Sequence, residues 1–294
     1  MSQSSDDGKL NLGRLLAPAS IAIVGASEKN RSIAANTIGQ LLDSNYAGTL
    51  YLVNPRYSSL FGLPCYPDLD SLPVAPDLVV FAISGLALEA VFDRALQLGV
   101  GGILIYAANF VADEDEPSLP VRLRRKASAA GVPVCGGNSM GFYNYDDNAF
   151  VSFDRPPGRP AGGIALIAHS GSAMTYLANN DARFCFNFVI SSGQETSGTV
   201  ADYMRFVLSR ESTRVIALFL ETVREPKGFI DALELARERG VPVVIVKLGR
   251  TEQSAAQALT HSGAIVGDHD AFLAVCRRHG ALVVRDMDEM IATA

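Results

Sequence analysis

"SIAIVGASEKNRSIAANTIGQLLDS", residues 20–44, contains the first regular unit of the chain. Ser20 to Val24 is a run of small and β-branched apolar residues without polar alternation, the pattern of a strand covered on both faces. Gly25 marks a turn. From Ile33 to Ser44 the apolar residues return at helical spacing. A buried strand, a glycine turn and an amphipathic helix make the first half of a βαβ unit.

The same rhythm continues. "TLYLVN" (49–54), "DLVVFAI" (77–83), "GGILIYA" (101–107) and "VPVCGG" (132–137) predict strands, with helices at "LALEAVFDRALQLG" (86–99) and "SLPVRLRRKASAAG" (118–131). It breaks at "FDRPPGRPAGG" (153–163), whose prolines and glycines mark a boundary. It then restarts with strands at "GIALIAHSG" (163–171), "FNFVISSG" (186–193), "TRVIALFLE" (213–221), "VPVVIVKLG" (241–249) and "ALVVRD" (281–286). Helices are expected at "FIDALELARERG" (229–240) and "HDAFLAVCRRHG" (269–280). The expected fold is α/β with two tandem parallel-sheet domains: a Rossmann-like domain over 11–150 and a flavodoxin-like domain over 163–294, joined by a linker at 151–162 and preceded by a disordered tail at 1–10.

Composition narrows the function. The 294 residues are 48% hydrophobic with a net charge of −6, acids and bases being mixed along the chain. No basic patch suggests nucleic acid, and no apolar run reaches the length of a membrane span. The first ten residues do not have the form of a secretory signal. Cys65, Cys135, Cys185 and Cys276 are widely spaced, match no zinc pattern, and read as reduced thiols of a cytoplasmic protein. No metal site is expected.

In open parallel sheets ligands bind beyond the carboxyl ends of the strands, so the residues there are the candidates. After the first strand, Gly25, Ala26 and Ser27, with Lys29 and Arg31, suit phosphates at a turn into a helix. The second glycine of a dinucleotide fingerprint is missing, and an ordinary strand-to-helix turn would look the same. The second strand ends in Asn54, Pro55 and Arg56, where a NAD enzyme would place an acid; Arg56 favours a ligand with an extra phosphate. The third and fourth end in "AISG" (82–85) and "YAANF" (106–110), small enough to admit an extended ligand.

In the second unit, Ser170, Gly171 and Ser172 form a candidate phosphate cradle, or simply a hydroxyl-capped turn. Glu221 ends a buried strand. His261, in "LTHSGAIVGD" (259–268), has small neighbours that leave room for a phosphoryl group. Glu221 is the candidate carboxylate that fixes the tautomer of its ring. His169, next to the cradle, is the competing acceptor.

With these residues in place, the chain resembles the nucleoside-diphosphate-forming (ADP-forming) acyl-CoA synthetases, relatives of the succinyl-CoA synthetase α subunit. The resemblance spans roughly residues 11–294. It rests on "VGAS", "VNPR", "GGNSMGFYN", "HSGSAMTY", "LFLE", "VKLGRT" and "THSGAIVG" in that order. It implies that coenzyme A binds the first domain over Gly25, Ala26, Ser27, Arg31, Asn54, Pro55 and Arg56. Ile83, Ser84, Ala108 and Asn109 would line the pantetheine path. It also implies that His261 is the phosphohistidine, Glu221 its orienting carboxylate, and Ser170, Gly171 and Ser172 the phosphate cradle.

The implied reaction converts a small carboxylic acid, CoA and ATP into acyl-CoA, ADP and phosphate, reversibly. The family's HTG reads HSG here. Nothing in the sequence looks like the ATP-grasp domain that would hold ATP, ADP and Mg. That part is expected on a separate subunit or a longer polypeptide, in a homo- or hetero-oligomer. The alternatives are a non-catalytic CoA-binding regulatory module and, against the incomplete glycine fingerprint, an NAD(P)-dependent oxidoreductase.

Overall fold

The computed structural model describes residues 10–83, 87–107, 117–180, 183–249 and 269–294. The opening stretch folds as its pattern demands. β1 (Ser20–Val24) is buried from Ile21 onward. α2 (Ile33–Asp43), which follows the short α1 (Gly13–Leu16), buries Ala34, Thr37, Ile38 and Leu41 on one face. Ser32 caps α2, its hydroxyl accepting from the Ala35 N–H at 3.1 Å. Residues 26–32 therefore separate Gly25 from the helix.

β2 (Thr49–Val53) and β5 (Leu78–Phe81) flank β1 in parallel. Beyond them lie β4 (Leu63–Tyr66) and β3 (Ser59–Leu60) on one side, and β6 (Gly102–Ile105) and β7 (Val134–Gly136) on the other. Among the described residues of this sheet only the β3–β4 pair at the edge is antiparallel. α3 (Ala87–Gln97) and α4 (Leu119–Ala130) provide the connecting helices after β5 and β6.

The second sheet has β10 (Ile164–Ala168) at its centre. On one side is β11 (Phe186–Ser191); on the other are β12 (Val215–Leu220), β13 (Val243–Lys247) and β14 (Leu282–Val284), all parallel. This is the flavodoxin-like order, second–first–third–fourth–fifth. α5 (Gly171–Asn180), α6 (Val200–Leu208), α7 (Pro226–Glu238), α8 (His269–Arg278) and α9 (Met287–Thr293) accompany these strands. Both expected parallel sheets are thus present, each with an antiparallel margin. In the second sheet the margin is the hairpin β8 (Gly141–Asn144) and β9 (Ala149–Ser152), with β8 antiparallel to β11.

That hairpin joins the two sheets. α2 of the first unit lies against it, with Gln40 Nε2 donating to the Ser152 carbonyl at 2.8 Å and Ser44 Oγ to the Asn148 carbonyl at 2.9 Å. The buried apolar cluster beneath is continuous from Ile23 and Ile38 through Phe142 and Val151 to Ile190 and Ile216.

Candidate functional site

The carboxyl end of the first sheet forms a cleft of about 600 Å³ lined by Gly25, Asn54, Pro55, Arg56 and Ile83, with Leu69, Val91 and Arg94. Five of the sequence-selected residues therefore meet in one place. Gly25 has φ 86°, and a Cβ there would lie 2.7 Å from Ile83 Cγ2 and 2.9 Å from the Ala82 carbonyl oxygen. Only glycine leaves the crevice between β1 and β5 open. Asn54 works on the backbone: its amide donates to the Ala26 carbonyl at 2.8 Å and its Oδ1 accepts from the Arg56 N–H at 3.0 Å. This brace holds Arg56 at the exposed rim.

Ala26 is buried, and Ser27 Oγ accepts from the Lys29 N–H at 3.0 Å. Arg31 stands exposed at φ 61° on the loop to α2 and is not among the residues that line the cleft. The cleft also holds Asp68, which caps Ser71, and Asp70, ion-paired with Arg94. Ser84, Ala108 and Asn109 lie outside the described residues.

At the carboxyl end of the second sheet, Ser170 caps α5, its hydroxyl accepting from the Ala173 N–H at 3.3 Å. The N–H groups of Gly171 and Ser172, in the first turn, have no acceptor within the helix and carry its positive dipole end. Gly171 is pressed close: a Cβ would lie 2.4 Å from Met140 Cγ. Glu221 is buried one residue past β12, beside His169. His261 lies outside the described residues.

His169 is buried, and both ring nitrogens are engaged. Nδ1 accepts from the Glu221 N–H at 3.1 Å, and Nε2 lies 3.1 Å from Glu195 Oε1. A neutral ring so placed carries its proton on Nε2 and directs its lone pair at a backbone amide. It has no free lone pair with which to take a phosphoryl group. The remaining described histidines are His269, at the start of α8, and His279, 3.7 Å from Glu234.

Three polar residues of this end were not anticipated. Glu195 is fully buried, with φ 50°, and its second oxygen is 3.6 Å from Arg224 Nε. Lys247, the last residue of β13, donates from Nζ to the carbonyls of Glu221 at 2.8 Å and Leu248 at 2.5 Å. Burial pulls the Lys247 ammonium below the usual lysine range, and Glu221 opposes that shift. Arg124, on α4 of the first unit, is likewise lowered by burial and then by Arg224. Glu195 and Arg224 closely follow predicted strands and Lys247 lies near the end of one, which was the available signal.

The loop carrying Glu195 is fastened to the first unit. Thr196 Oγ1 donates to the Gly136 carbonyl at 2.6 Å and accepts from the Gly137 N–H at 3.1 Å. The Gln194 N–H donates to the Gly137 carbonyl at 2.8 Å. Among the described residues no group of His, Cys, Asp and Glu is arranged to hold a metal ion, and no helix is long and apolar enough to cross a membrane. Cys65, Cys135, Cys185 and Cys276 are all free thiols.

Residues 19–145 match the model of a CoA binding domain, and residues 161–294 that of a succinyl-CoA ligase like flavodoxin domain. The chain joins a CoA binding domain to a succinyl-CoA ligase like flavodoxin domain, and its relatives include ADP-forming acetate–CoA ligases. A trans-feruloyl-CoA synthase from an unknown prokaryotic organism is 30% identical over 95% of the chain, covering 40% of that relative. An ADP-forming acetate–CoA ligase II of Archaeoglobus fulgidus is 28% identical over 95% of the chain and 42% of its own length. The chain thus spans about two fifths of these synthetases. Among solved structures, the dinucleotide-forming acetyl-coenzyme A synthetase 1 of Ca. Korarchaeum cryptofilum, in complex with phosphate and ADP, superposes with a TM-score of 0.87 at 27% identity. That match covers 95% of this chain and 61% of the synthetase chain.

Proposed function

We propose that this chain supplies the CoA-binding and phosphohistidine-carrying portion of an ADP-forming acyl-CoA synthetase. An ATP-grasp domain or subunit would hold ATP, ADP and Mg, in a homo- or hetero-oligomeric assembly. The substrate is a small carboxylic acid, and the free thiols suit a cytoplasmic setting. The observation that carries this reading is the second sheet's carboxyl end. There a helix N-terminus and a buried glutamate stand side by side, while the neighbouring His169 is occupied at both nitrogens. That arrangement suits a histidine delivered from elsewhere in the chain, and His261 has the small neighbours the role needs.

In the acyl-CoA-consuming direction, phosphate attacks the thioester carbonyl and the C–S bond breaks, giving acyl phosphate and CoA thiol. A nitrogen of His261 then attacks phosphorus. The bond from phosphorus to the acyl oxygen breaks, and the free acid leaves. Ser170, Gly171 and Ser172 offer donors to the phosphoryl oxygens, and Glu221 holds the second ring nitrogen as a donor. The phosphoryl group then passes to ADP on the partner.

Labelled phosphate together with acetyl-CoA or feruloyl-CoA should place an acid-labile, base-stable label on the chain. His261→Asn should remove the label and His169→Asn should keep it. The reverse pattern would move the role to His169. No label from any acyl-CoA, nor from ATP with the partner present, would reject the reading in favour of a regulatory CoA-binding module. For the first domain, Arg56→Glu should weaken CoA far more than dephospho-CoA, because Arg56 is assigned to the 3′-phosphate. Equal losses by calorimetry would remove that assignment.

A further inference from the structure

Glu221 is the first residue beyond β12, where the ladder runs out and buried peptide groups need other partners. The His169 N–H still donates to the Phe219 carbonyl at 3.1 Å. In a parallel ladder the next bond would run from the Glu221 N–H to the His169 carbonyl. It runs to the His169 ring, at Nδ1. On the other side the Leu248 N–H donates to the Leu220 carbonyl at 2.8 Å, and Lys247 Nζ then takes the Glu221 carbonyl. Both main-chain groups of one residue are therefore held by buried side chains from the two flanking strands.

The geometric consequence is specific. The N–H of a residue lies in the peptide plane before its Cα, and its C=O in the plane after. Fixing both planes fixes φ and ψ of Glu221, and so the direction in which its Cβ leaves the backbone. The holding groups are fixed in turn. Glu195 engages the far nitrogen of His169, and its loop is bonded to Gly136 and Gly137 of the first unit. Lys247 Nζ is shared with the Leu248 carbonyl and sits 5.8 Å from the Phe272 ring centre.

We propose that His169 and Lys247 are positioning residues that aim the Glu221 carboxylate. The proposal rests on the reading of Glu221 as partner of the phosphorylated histidine. It requires an acceptor at the δ1 position of residue 169 and a buried donor at residue 247. Asparagine at 169 keeps an acceptor near the δ1 position and loses the reach to Glu195. Glutamine keeps the reach and loses the acceptor. A residue that merely fills space would not separate the two.

The test uses the full chain carrying H169N, H169Q or K247M, with two readouts. One is hydrogen exchange at the Glu221 amide. The other is the rate of labelling by acyl-CoA and labelled phosphate, with CoA affinity measured alongside. H169N should keep more amide protection than H169Q and label faster than it, by the acceptor that asparagine retains. H169Q should lose protection and label about ten- to a hundredfold more slowly, the size of effect that a small misplacement of a reacting group produces. K247M should slow labelling with CoA affinity unchanged, and it tests the carbonyl side whether or not H169Q folds. Equal protection and equal rates in H169N and H169Q, or wild-type labelling in K247M, overturn the proposal. A wild-type chain that takes no label while only H169Q exposes the Glu221 amide rejects the proposed function and leaves the backbone clamp standing.

Discussion

Gly25 and His169 set limits at single positions that the rest of each site has to respect. At Gly25 an added methyl meets a carbonyl of the neighbouring strand, and the left-handed φ is strained for any L side chain. Gly25→Ala should cost more than about 1 kcal/mol of stability and shrink the shift in melting temperature that CoA induces. A normal melting curve with an undiminished CoA shift would show that the crevice is not the binding path. The residue types at the strand ends were legible in the sequence, because a parallel sheet puts its ligands there. The engagement of His169 was not. Its partner Glu195 comes from the next strand end, on a loop with no periodicity to read, and its other partner is a backbone amide. Asn54 was likewise legible as a site residue, but its work as a brace between Ala26 and Arg56 depends on how two loops meet.

Elements were legible where a face had to be buried. The helix expected over 118–131 is α4, Leu119–Ala130, and that over 86–99 contains α3, Ala87–Gln97. What joins them was not legible, since charges on solvent faces carry no period. Glu89 on α3 accepts from Arg122 at 2.7 Å and from Lys126 at 2.9 Å, and Lys126 also reaches Asp93 at 2.7 Å. The Arg122 hydrogen bond, then Lys126, hold the Glu89 carboxyl at about 2, below its ordinary 4.5. A carboxylate with a depressed folded pKa stabilises the fold above its unfolded pKa, and that contribution fades as pH falls from 4.5 toward 2. The side chain is 24% exposed, so water screens part of the effect. Glu89→Gln should therefore cost about 1 kcal/mol at neutral pH, the upper end for a surface pair, and flatten the fall of the urea midpoint over that acid window. An unchanged acid slope would mean the pair contributes nothing. The hairpin β8–β9 escaped the sequence reading for a different reason. Its two strands have four residues each, too few to show a period, and its partner β11 comes later in the chain.

At the scale of the whole molecule, two ligand-facing sheet ends share one support. The hairpin between the units pairs with β11 of the second sheet and is covered by α2 of the first. Asn144 Nδ2 also donates to the Leu16 carbonyl at 2.8 Å, and one apolar cluster runs through both units. Thr196 ties the loop after β11 to the end of β7. Unfolding either unit would strip buried surface and hydrogen bonds from the other, so heat should unfold the described chain in one transition. CoA held only in the first unit should then protect both. At a ligand concentration a hundredfold above the dissociation constant, linkage adds about 2.7 kcal/mol to whatever unfolds together. Resolved fluorine resonances of a 3-fluorotyrosine-labelled chain can follow the buried Tyr143 and Tyr145 on the second side, while calorimetry reports the whole. If the units are coupled, the tyrosine signal and the heat absorption should move up together when CoA is added, and Thr196→Val, which removes two buried bonds at the joint, should lower both midpoints. Two resolved transitions, with CoA moving only the first and leaving the tyrosine signal where it was, would show that the joint is too weak to carry binding energy from one sheet end to the other.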